Sequence, residues 1–136
     1  MNDSGDGLLD TRLLMSASAL YMALVGLTAA LFEEELLAHF GTSTTGFPIA
    51  LAGVVAGLYL GFAVLNWMAR GNLIGGVYSR PVALGNFAQF LGVAVILLQQ
   101  AAGSSHTLEL GVAAGVNGLF ALAFGYVVFG RGGSCG

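Results

Sequence analysis

Residues 47–69 read FPIALAGVVAGLYLGFAVLNWMA, without one charged side chain. An α-helix rises about 1.5 Å per residue, so about 20 apolar residues cross the roughly 30 Å hydrocarbon layer of a bilayer. Pro48 falls in the first turn, where its missing N–H costs nothing. The run lacks the strict alternation of a barrel strand, and a helix satisfies its own backbone in lipid. The stretch reads as a transmembrane helix.

Working outward, residues 13–32, 81–102 and 110–129 are charge-free in the same way. The 136-residue chain is 57% hydrophobic and 8% charged, with a mean hydropathy of +0.86. An average soluble chain is about 25% charged. A water-soluble domain this small has too much surface for its volume to bury so much apolar area. These values exclude a soluble enzyme, a nucleic-acid binder and a disordered chain.

The breaks between runs agree. Residues 41–46 (GTSTTG) and 103–105 (GSS) are loop chemistry, Gly71 and Asn72 stand where a C-terminal cap belongs, and Pro81 opens the third run. Connections this short force antiparallel neighbours. The expected fold is a single all-α membrane domain over residues 1–136, a four-helix up-down-up-down bundle. At the first loop, Phe32, Leu36 and Phe40 recur every four residues opposite Glu33, Glu34 and Glu35, which predicts a short interfacial helix over 32–40.

Charge sets the orientation. The chain has no lysine, and its cations are Arg12, Arg70, Arg80 and Arg131. With four spans these all fall on one side, facing Glu33, Glu34, Glu35 and Glu109 on the other. Positive-inside reasoning places both termini in the cytoplasm, in a bacterial or archaeal cytoplasmic membrane, with Trp67 and Tyr126 as interfacial anchors. The acidic first ten residues do not resemble a signal peptide. The Gly-rich tail over 130–136 reads as mobile, and its lone Cys135 excludes an internal disulfide.

Helices in lipid associate through close packing and hydrogen bonds rather than hydrophobic burial. Gly53, Gly57 and Gly61 form one stripe on the second run, and Gly111, Gly115, Gly118 and Gly125 a similar one on the fourth. Both are candidate packing interfaces. Tyr59, Asn66 and Arg70 fall nearly opposite the first stripe, so if that polar face looks inward, the glycines look away. Self-association, or assembly with other membrane subunits, follows as an expectation.

Two polar constellations are candidate sites. Asn66, Arg70, Arg80 and Asn86 lie near the arginine-bearing side and suit an anionic lipid headgroup or another anion. The blander reading gives the arginines a topological role and the amides a helix-pairing one. Deeper, Tyr21, Tyr59, Gln89 and Asn117 can line a polar path or satisfy one another. No titratable residue lies in mid-membrane, which argues against a proton-coupled antiporter or voltage sensor.

No catalytic constellation is present: Ser16 and Ser18 lack a histidine on their side of the membrane. Glu35, His39, His106 and Glu109 share a side, but their spacing demands no metal, and no cofactor is expected. The leading expectation is a non-enzymatic membrane protein working through helix association. The alternatives are a small channel or transporter, and a lipid- or quinone-headgroup binder.

Overall fold

The computed structural model describes residues 3–70 and 79–130. Among them the regular structure is entirely helical: α1 (Asp3–Leu31), α2 (Glu33–His39), α3 (Phe47–Ala69), α4 (Ser79–Ala102) and α5 (Thr107–Gly125), the last continued by a π-helical turn (Tyr126–Gly130). Four of these helices are long and apolar enough to cross a membrane, over Thr11–Leu31, Phe47–Ala69, Arg80–Ala102 and Thr107–Gly130. The cap expected at Gly71 and Asn72 and the tail over 131–136 lie outside the described residues.

Helix limits match the sequence reading closely at α3 and less so elsewhere. α1 begins ten residues before its apolar run, at Asp3. Elongating an existing helix adds a hydrogen bond for each residue fixed, so it continues until something stops it. The stop is Phe32, at φ −125° and ψ 34°. Breaking there puts Glu33, Glu34 and Glu35 in the first turn of α2 rather than the last turn of α1. Carboxylates are stabilised at the positive N-terminal end of a helix and opposed at the other.

α2 ends in a Schellman turn. The Thr42 N–H donates to Leu37 O at 2.8 Å and the Gly41 N–H to Ala38 O at 3.0 Å. Gly41 has φ 72° and Gly46, which caps α3, φ 70°. Both positions favour glycine because a Cβ there strains the backbone. Between α4 and α5, the Thr107 hydroxyl is shared by Ser104 O at 2.7 Å and Ala101 O at 3.0 Å.

The chain forms two compact units, Met1–Gly71 and Asn72–Gly136. In the first, α1 and α3 run antiparallel: Ser18 meets Asn66, and Gly26 meets Leu60. The seam on α3 is Ala56, Tyr59, Ala63 and Asn66. On α1 it is Met15, Ser18, Ala19, Met22 and Gly26. In the second unit α4 and α5 are also antiparallel. Phe90 stacks between Phe120 and Phe124, with centroids 4.8 and 5.8 Å away, and Phe87 meets Phe129 edge-on at 5.5 Å.

The alternating three- and four-residue spacing of Ala56, Tyr59, Ala63 and Asn66 keeps one narrow stripe toward the neighbouring helix, as in coiled coils. Ala114, Asn117, Ala121 and Phe124 repeat it on α5. Large apolar side chains lie outside instead: Leu31, Phe47, Met68, Leu108 and Leu122 are each more than 70% exposed. That is the reverse of a protein folded in water.

Gly26 marks the tightest approach. A Cβ added there would lie 2.9 Å from Leu60 Cγ and 3.1 Å from the Leu60 backbone nitrogen. At Gly57 it would meet nothing within 4 Å. Gly26→Ala is therefore expected to destabilise the α1–α3 hairpin by about 1–3 kcal/mol. Gly57→Ala should cost nothing, since alanine favours helix by up to about 1 kcal/mol. Reversible unfolding of monomeric protein in mixed micelles measures both.

Candidate functional site

The polar residues singled out from sequence are divided between the two units. Tyr21, Tyr59, Asn66 and Arg70 belong to the first, and Arg80, Asn86, Gln89 and Asn117 to the second. Within each hairpin the three asparagines are the most deeply placed of these groups. Asn66 and Asn86 are fully buried and Asn117 is 2% exposed. An amide costs several kcal/mol in an apolar medium without partners, so its bonds decide what the surrounding helix can do.

Asn66 ties two helices together. Its Nδ2 donates to Ser18 Oγ at 3.1 Å and approaches Met22 Sδ at 3.8 Å. Ser18 Oγ in turn donates to Met15 O at 2.9 Å, one turn back in α1. The result is a short relay from the α3 amide through the α1 hydroxyl to the α1 backbone. Ser18 carries this pairing role, which its neighbours in sequence do not signal. The signal available was its place on the stripe of Met15, Met22 and Gly26.

In the second unit the amides turn back on their own helices. Asn86 Nδ2 donates to Val82 O at 2.9 Å, and Asn117 Nδ2 to Ala113 O at 2.8 Å. Both are bonds to the carbonyl four residues earlier, which competes gently with the helix ladder. Tyr59 is buried at 6% exposure, while Tyr21 and Gln89 are half-buried.

Arg70 and Trp67 form the other distinctive group. The Arg70 guanidinium lies 3.9 Å from the centroid of the Trp67 ring, and its Nη1 donates to the Trp67 carbonyl. Residues three apart share a helix face, so this stack was legible from spacing. Arg80 stands exposed in the first turn of α4.

The glycine stripes take little part in pairing within the hairpins. A Cβ at Gly57, Gly61, Gly111, Gly115 or Gly118 would meet nothing within 4 Å, and one at Gly53 only the Glu33 carboxylate at 3.9 Å. Gly125 differs, since Phe87 closes to 3.0 Å of the corresponding position. On α3, buried Tyr59 and Asn66 face the pairing seam and Gly53, Gly57 and Gly61 are exposed.

At the opposite ends of the hairpins, His106 Nδ1 lies 3.4 Å from Glu109 Oε1, and Glu35 is exposed. His39 meets Phe40 edge-on at 5.0 Å. No protein-family model, curated protein or solved structure matches this chain.

Interhelical hydrogen bonds in membrane proteins contribute on average about 0.6 kcal/mol. A double-mutant cycle on Ser18→Ala and Asn66→Ala is expected to give a coupling of about that size between them. The single variant Asn66→Ala should lose the whole of it.

Proposed function

We propose that this chain is an integral membrane protein that works through helix–helix association, as a homo-oligomer or as an accessory subunit of a membrane complex. Its four apolar helices run up-down-up-down in a bacterial or archaeal cytoplasmic membrane with both termini inside. The observation that carries the association is the open space over Gly57, Gly61, Gly111, Gly115 and Gly118. Small residues let helix backbones approach closely, and lipid offers no hydrophobic drive to replace that contact. The hairpins already pair through other residues, so these stripes are left for a further helix.

The inverted side-chain distribution supports the membrane setting. Asn66 and Ser18 lie inside the first hairpin and Asn86 and Asn117 inside the second, while leucines such as Leu31, Leu108 and Leu122 lie outside. Charge supports the orientation. In the first hairpin the antiparallel pairing sets Arg12 and Arg70 at one end and Glu33, Glu34 and Glu35 at the other. In the second, Arg80 opens α4 and Glu109 lies in the first turn of α5, at opposite ends. Arginine on the cytoplasmic side is the usual bias.

Two measurements test this reading. Native mass spectrometry of the gently extracted protein should show an assembly larger than one chain, and the double variant Gly57→Ile with Gly115→Ile should show a smaller one. An unchanged size sinks the association. For orientation, a membrane-impermeant maleimide should label Thr44→Cys in intact cells, and the native Cys135 only after permeabilisation. Labelling in the reverse order would invert the topology.

A further inference from the structure

Along one edge of their pairing seam, α1 and α3 form an apolar groove of about 340 Å³. Buried Ala19 and Ala63, with half-buried Ala23, form its floor. Exposed Leu20 and Val64 form its sides, and Trp67 closes one end. Along α3 it runs from Leu60 to Trp67, about 10 Å at the helical rise. Small side chains flanked by larger ones make this an apolar channel along the hairpin.

One end of this channel carries a charge. Arg70 follows Trp67 by one turn, and its guanidinium stacks on the indole at 3.9 Å. The stack and the bond to the Trp67 carbonyl hold the cation against the indole that lines the groove. A guanidinium has five donors, more than that bond uses, and its planar fork suits phosphate oxygens. An apolar trough ending in an oriented cation is complementary to an amphiphile with a negative head.

We propose that the α1–α3 hairpin binds one anionic phospholipid, with an acyl chain along Ala19, Ala23 and Ala63 and its phosphate on Arg70. The inference rests on the membrane reading above and goes beyond it in naming the ligand and its two contacts. The site uses neither Asn66, which is committed to Ser18, nor any residue of the second unit. Trp67 forms the junction, with its ring against the chain and its face under the cation.

Trp67 is the only tryptophan, so its fluorescence reports this groove directly. The full chain is reconstituted in phosphatidylcholine vesicles containing increasing fractions of phosphatidylglycerol with brominated acyl chains, or of phosphatidylcholine brominated in the same way. An arginine near an anionic headgroup is worth about 1 kcal/mol, or roughly fivefold in affinity. Half-maximal quenching should therefore need about fivefold less brominated phosphatidylglycerol than brominated phosphatidylcholine. Arg70→Gln should bring the two curves together, and Arg70→Lys should keep part of their separation. Ala23→Phe should lower the quenching by both lipids.

Coincident curves for the unaltered protein would mean that Arg70 merely reaches the headgroup layer, and would overturn the proposal. So would a separation that survives Arg70→Gln, or quenching untouched by Ala23→Phe. A Trp67 that neither lipid quenches would show the groove covered by protein, such as a second copy, with the same consequence. Vesicle flotation separates the premises: a chain that does not float overturns the membrane reading together with this inference.

Discussion

Close approach of paired helices along narrow seams of small side chains is the constraint from which the rest of this structure follows. Leu60 lies so near Gly26 that a single added methyl would come within 2.9 Å of its side chain and 3.1 Å of its backbone nitrogen. At that separation alanine, serine and glycine line much of the first seam, beside Met15, Met22, Tyr59 and an asparagine whose amide finds a partner. Packing and hydrogen bonding, rather than exclusion of water, are then the cohesive terms. The Asn66–Ser18 bond has value here because neither group has water as an alternative.

With small residues along much of the seams, many large apolar side chains lie outward. Leucines coat the hairpins, while Met15, Met22, Phe90 and Phe124 stay inside and the glycines that take no part in pairing are left open. This produces two kinds of outer surface. One is smooth and glycine-lined, suited to another helix. The other is a trough between α1 and α3, walled by large residues and suited to a flexible chain. A single helix, α3, bears both: Leu60, Val64 and Trp67 lie beside the glycine face, on the same side of the Tyr59–Asn66 seam.

Much of the architecture was legible because it depends on properties that add along the chain. Length and charge-free composition marked the four long helices, and α3 runs over the residues expected, Phe47–Ala69. The four-residue recurrence of Phe32, Leu36 and Phe40 marked the short α2, found over Glu33–His39. Other features left fainter traces. A lone glycine such as Gly26 forms no motif, yet it makes the closest helix contact, whereas the repeated glycines make few within their hairpins. The π turn over Tyr126–Gly130 had no trace either; its Phe129 meets Phe87 of α4 edge-on.

Read along the chain alone, four segments are helical and apolar enough to span a bilayer, and their ends separate arginine from glutamate. These properties are local: they depend on each residue's neighbours within a turn or two. Only the tertiary structure decided which face of each helix pairs. It showed that Ser18 receives the Asn66 amide, that the Nδ2 groups of Asn86 and Asn117 donate to carbonyls of their own helices, and that Trp67, under the Arg70 guanidinium, lines an apolar groove. The physical reason is that an asparagine, a glycine or an alanine is compatible with several partners on several faces. Its role is set by the distance between two backbones, and that distance belongs to the pair of helices rather than to either one.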